Sequence, residues 1–127
     1  MKNEENCFVN AIDFKSVKLP QHAYILGLLW ADGYIRKKEN ISSVVIEIIT
    51  EDAIDLLPVF AATGRWYVDE RSRYNRKPIT RILATNKYLY EYLFKLGYSS
   101  KSSSPSSLVL STIPDDLKSY WWRGYFD

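Results

Sequence analysis

The chain has 127 residues, 46% hydrophobic and 25% charged, with a formal net charge of +2. That is room for one folded domain, too apolar for a disordered segment and too near neutrality for net charge to name a partner. A single cysteine, Cys7, excludes an internal disulfide, and a single histidine, His22, offers no zinc-type cluster. No run reaches the ~20 apolar residues that cross a bilayer and no signal-peptide pattern opens the chain, so a cytoplasmic protein with no membrane partner is expected.

Residues 1–18 form a polar lead-in. Gln21 to Asp32 then reads as a helix with Pro20 at its first turn and Gly33 at its end. Ala23, Gly27 and Ala31 recur every four residues, a stripe of small side chains on which another helix can approach closely. Ile25, Leu26, Leu28, Leu29 and Trp30 make the rest apolar nearly all round, so the helix is expected between layers.

Tyr34 to Lys38 and Val44 to Thr50 read as a hairpin, and Glu51-Asp52 opens a second helix that runs through Phe60 and stops at Gly64. Arg65 to Arg73 alternates, with Trp66 and Val68 on one side. Thr80 to Thr85 returns beside it across a loop of Tyr74, Asn75, Arg76, Lys77 and Pro78. Asn86 is placed to cap a third helix, Lys87 to Leu96, which ends at Gly97. Ser99 to Ser107 is a serine-rich loop, followed by a brief apolar Leu108 to Leu110. Ile113-Pro114-Asp115-Asp116 starts a last helix that carries Trp121, Trp122 and Phe126.

Positive charge is clustered. Arg36, Lys37, Lys38, Arg71, Arg73, Arg76, Lys77 and Arg81 lie in two short windows, while the acids are spread. Such clusters suit phosphate binding, and they equally suit the solvated tips of two hairpins.

The stretch Ile25-Leu26-Gly27-Leu28-Leu29-Trp30-Ala31-Asp32-Gly33 resembles the signature helix of the LAGLIDADG homing endonucleases, with Gly27, Ala31, Asp32 and Gly33 matching well. Trp30 departs from it at a position that varies in the family. Trp122-Arg123-Gly124-Tyr125-Phe126-Asp127 is similar to the start of a second such motif. The resemblance implies an α+β fold with an αββαββα core and a four-stranded antiparallel sheet. It divides the chain into a lead-in over 1–18, a LAGLIDADG domain over 19–110 and an incomplete second motif helix over 111–127. On this alignment Asp127 lies two residues short of a second catalytic acid, and loss of the remainder is expected, with Trp121 and Trp122 left exposed.

The family's activity implies one DNA-binding half of a metal-dependent endonuclease that hydrolyses duplex DNA. Asp32 would be the catalytic acid and, with the Gly33 carbonyl, would hold Mg²⁺ beside a phosphate oxygen. Ala23, Gly27, Ala31 and Gly124 would form the helix interface, to a second domain or to a homodimer partner. Lys101 resembles a basic residue that points at the scissile phosphate, and reads equally as a solvent-exposed loop lysine. Glu47 is an active-site polar residue, a DNA-facing position or a partner for a basic neighbour.

DNA recognition in the family uses the sheet in the major groove. Candidates here are Arg36, Lys38, Arg71, Arg73, Asn75, Arg76, Lys77 and Arg81, with Tyr34, Tyr67 and Asp69. Strand parity stays open, because a one-residue slip exchanges the faces. A non-catalytic DNA-binding regulator and an intron RNA maturase of the same fold are the alternatives.

Overall fold

In the computed structural model, residues 17–64, 66–85, 87–98 and 106–127 are described, with Ser106 for its backbone only. The elements are α1 (Pro20–Asp32), β1 (Gly33–Lys38), β2 (Ile41–Ile49), α2 (Thr50–Ala61), β3 (Tyr67–Arg73), β4 (Arg76–Ala84), α3 (Lys87–Lys95), α4 (Ser106–Leu110), a 3₁₀ turn (Asp115–Leu117) and α5 (Lys118–Phe126). The fold is α+β: one antiparallel sheet of order β1-β2-β4-β3 carries the helices. No helix among the described residues is long and apolar enough to cross a membrane.

α1 starts where Leu19 is extended, and the buried His22 secures the entry by accepting from the amides of Lys18 and Leu19 at Nδ1, 3.2 and 3.1 Å away. That use of the lone histidine relieves two backbone donors that the helix start leaves without carbonyl partners. Residues His22 to Trp30 are all buried because α1 has protein on several sides: β1, β2 and α2 on one, α5 on the other. Covering each of its leucines and isoleucines contributes about 1.5–3 kcal/mol.

The small-residue stripe is where α5 docks. A Cβ on Gly27 would lie 2.0 Å from the Trp121 carbonyl oxygen, and one on Gly124 2.0 Å from that of Tyr24. Each glycine therefore lets the facing backbone in. The expected exposure of Trp121 is overturned: it is fully buried, edge-on to Trp30 at 6.4 Å and stacked on Tyr125 at 5.2 Å. Trp122, on the outer side of α5, remains 40% exposed. Ile113, Leu117 and Trp121 join the same core as Leu26, Ile46 and Ile82.

The second hairpin is tighter than its sequence suggests. The expected five-residue loop is a turn of Tyr74 and Asn75, with Asn75 at φ 57°, a conformation asparagine tolerates. β4 runs through Pro78 because β2 pairs with β4 only as far as Ile79. Beyond that point the proline's missing N–H deprives no second neighbour. A register irregularity between Arg71 and Arg73 absorbs the bend. β2 likewise begins at Ile41 rather than Val44, since the two-residue turn Glu39-Asn40 leaves Ser42 and Ser43 opposite Lys37 and Arg36. Leu108 to Leu110 belongs to the short helix α4, and the last helix enters through a 3₁₀ turn. Arg65, Asn86 and residues 99–105, Lys101 among them, lie outside the described residues.

Candidate nucleic-acid face and acidic cleft

Register decides which side chains share a face, because directly opposed residues in an antiparallel pair project the same way. Val44 faces Ala84, Ile46 faces Ile82, and these buried residues define the helix side. The opposite parity forms the open side. There Tyr34, Val45, Leu83 and Tyr67 make one row, Glu47, Arg81 and Asp69 the next, and Ile49, Ile79 and Arg71 a third. Arg36, opposite Ser43, and Lys38, opposite Ile41, continue it along β1. The candidates Tyr34, Arg36, Lys38, Tyr67, Asp69, Arg71 and Arg81 thus lie on one side of one sheet.

Long side chains cover the apolar centre of that side: Val45 is fully buried between Tyr34 and Leu83, and Ser43 is 5% exposed. Asp69 is shared by two cations, accepting from Arg71 Nε at 3.2 Å and Arg81 Nη2 at 3.0 Å. The hydrogen bonds from Arg71 and then Arg81 hold its carboxyl below the usual carboxylate range. Arg81 Nε is buried without a hydrogen-bond partner. Tyr34 donates its hydroxyl to Glu47 at 3.2 Å, and burial, then the Glu47 charge, push the phenol up. Glu47 is therefore an open-face residue opposite a basic neighbour.

At the hairpin tip, Arg73 donates through Nε and Nη2 to the Lys77 carbonyl at 3.0 and 2.8 Å. Its guanidinium thereby clamps the turn. Lys77 reaches back to Glu51 at 2.7 Å, and that hydrogen bond raises the lysine above its usual range. Both groups are exposed, so the pair is open to exchange with another anion. Asn75 and Arg76 are exposed beside them.

Asp32 ends α1 exposed, where the chain turns into β1. The turn is crowded: a Cβ on Gly33 would lie 2.6 Å from Leu29 Cδ2 and 3.0 Å from the Tyr98 hydroxyl. Tyr98 is buried against Trp30 at 4.5 Å and donates to the Leu29 carbonyl. Burial, and then the nearby Asp32 carboxylate, hold its phenol well above the ordinary tyrosine range.

Asp32 opens into a cleft of about 440 Å³ that Glu47, Asp52, Asp55 and Asp127 also line, with Leu28, Ile48, Ile49 and Leu56 as its apolar floor and walls. Asp127 is held there by the Tyr24 hydroxyl, whose phenol is raised by burial and then by that carboxylate. Asp52 and Asp55 carry no signal of a site in the sequence. They sit in an acid-rich first turn that reads as ordinary complement to the helix dipole. Only the packing of α2 beside the end of β2 turns them toward Asp32.

Oxygen-only donors suit a hard cation such as Mg²⁺, which keeps several waters and takes one or two carboxylates plus phosphate. Among the described residues no group of three or more His, Cys, Asp or Glu side chains converges to hold a metal. The fit is to an open site of that kind, centred on Asp32. The Ala23–Gly27–Ala31 stripe and Gly124 meet within the chain, so the helix interface is formed intramolecularly.

No protein-family model matches this chain, and no curated protein matches it.

Proposed function

We propose that the chain is a DNA-binding half of a metal-dependent, LAGLIDADG-type endonuclease acting on duplex DNA. The observation that carries this reading is the common face of Tyr34, Arg36, Lys38, Tyr67, Asp69, Arg71 and Arg81, with Asp32 in a cleft that shares Glu47 with that face. Long polar side chains on a twisted antiparallel sheet can reach base edges in a major groove, and arginines can take guanine edges two hydrogen bonds at a time. Arg73, Asn75, Arg76 and Lys77 at the tip would meet phosphates, which position the protein without reading sequence.

Asp32 and the Gly33 carbonyl would hold Mg²⁺ with water and a phosphate oxygen, and the ion would stabilise the charge that builds on the phosphate during hydrolysis. The chain's own part is to orient that carboxylate. Tyr98 ties the last turn of α1 at Leu29, Gly33 allows the close turn, and the Gly27–Gly124 contact fixes α1 against α5. Double-strand cleavage needs a second carboxylate at the second scissile phosphate, supplied by another motif helix. A homodimer through the small-residue face would first have to displace α5.

The test is supercoiled plasmid carrying a selected binding site, with Mg²⁺, offered to the chain and to Asp32→Asn. The chain alone is expected to bind the site without efficient cleavage, and to cleave when fused to a second motif-bearing domain, in an Asp32-dependent way. Metal-dependent cleavage by the chain alone that survives Asp32→Asn would overturn the assignment. Preferential binding of structured RNA over duplex DNA at equal salt would favour the maturase alternative.

A further inference from the structure

On the helix side of the sheet there is a second polar recess, lined by none of the residues of the acidic cleft. It opens between the β1–β2 hairpin and the start of α3 and encloses about 580 Å³, within the usual range for small-molecule sites. Lys37 and Ser42 are directly opposed in the β1–β2 register and share the parity of Ile35 and Val44, so both project toward α3. Ser42 is only 9% exposed, and among the described residues nothing hydrogen-bonds its hydroxyl. A hydroxyl so deep and unpartnered is costly unless a group within the recess takes the bond.

Two ammonium groups, Lys37 and Lys87, line the recess, and neither forms an ion pair among the described residues. Tyr90 and Phe94, one turn apart on α3, lie with ring planes 10° from parallel and centroids 6.1 Å apart. Phe94 is 64% exposed. They form a flat aromatic ledge of the kind on which a base stacks. Glu91 adds one carboxylate to the lining, which repels a bare anion and can accept from an amino or ribose hydroxyl group.

We propose that this recess binds a nucleoside monophosphate unit, with the base on the Tyr90–Phe94 ledge and the phosphate between Lys37 and Lys87, where it accepts from Ser42. The unit is either a free nucleotide or an unpaired nucleotide of a strand. Phosphate alone satisfies the cations but not the ledge, and a nucleoside alone does the reverse. The site is independent of the DNA face, which lies on the other side of the sheet.

Isothermal titration of the full chain with AMP, GMP, CMP and UMP, with the matching nucleosides, with inorganic phosphate and with single-stranded RNA trinucleotides tests this. At least one nucleotide is expected to bind saturably, with its nucleoside and inorganic phosphate each about tenfold weaker or more. Lys37→Ala with Lys87→Ala should lower nucleotide affinity about tenfold, and Phe94→Ala should do so while leaving inorganic phosphate binding unchanged. These positions are exposed, so circular dichroism melts should match the parent. A trinucleotide that binds more tightly than the monomer identifies a strand as the source, and equal affinity identifies the free nucleotide. No saturable binding of any nucleotide or trinucleotide up to about 10 mM, or binding that survives these variants, overturns the proposal. Loss of duplex DNA affinity in the same variants would also overturn it, by making the recess part of the DNA face.

Discussion

The α1–α5 contact and the open side of the sheet use their residues in opposite ways. Between the helices, backbone meets backbone at Gly27 and Gly124, and a single added methyl group has nowhere to go. On the open side, long side chains trade partners in water: Asp69 serves Arg71 and Arg81 at once, and Lys77 holds Glu51 in an exposed pair. Space fixes identity in the first region, charge and reach in the second. Substitutions in the first should therefore be read out as stability, and in the second as binding.

The largest effect belongs to the helix contact. Gly27→Leu and Gly124→Leu are each expected to cost about 3 kcal/mol or more, since a backbone neighbour cannot yield as a side chain would. Thermal melting should fall by roughly 10 °C or more, and the exposure of Trp121 should show as a red shift of tryptophan emission. Near-parental melting would mean that α5 is not seated on α1.

Tyr98→Phe lies between the two regions. It removes the hydroxyl that binds the Leu29 carbonyl, but Leu29 keeps the amide of Gly33. A net loss of about 1 kcal/mol is expected, with melting lowered by several degrees. A loss as large as that of the glycine variants would mean that Tyr98 anchors more than the end of α1.

The smallest effect is on the open side. Asp69 has its carboxyl held low by Arg71 and Arg81, so any stability it contributes is present above the ordinary carboxylate range. That contribution is lost as pH falls through its depressed folded value, below about 4. Asp69→Asn should thus separate slightly from the parent above about pH 5 and converge with it near pH 2 in denaturant titrations. Divergence that grows on acidification would contradict the pairing.

Much of the fold was legible because its signals are local. The alternation along β1 and β3, the apolar spacing in α3 and the small stripe of α1 each follow from backbone period. What sequence could not supply is set by partners far along the chain. The parity of Arg36, Arg71 and Arg81 depends on β2 and β4 lying against the helices. Trp121 reads as exposed until α5 is laid on Gly27, and Pro78 reads as loop until β2 is seen to end at Ile49. Asp52, Asp55 and Asp127 approach Asp32 only through the packing of α2 and α5, just as the recess at Ser42 exists only because α3 crosses beneath the first hairpin.

The central claim is that the open face, and not the helix side, meets duplex DNA. Its most direct test is the salt dependence of duplex affinity for the parent chain and for Arg36→Ala with Arg71→Ala and Arg81→Ala. The triple variant is expected to melt close to the parent, since surface arginines contribute little to stability. If these arginines neutralise phosphates, its slope of log affinity against log salt should be shallower, by up to about 0.9 for each phosphate no longer neutralised. A variant that keeps both the parental affinity and the parental slope would contradict the account.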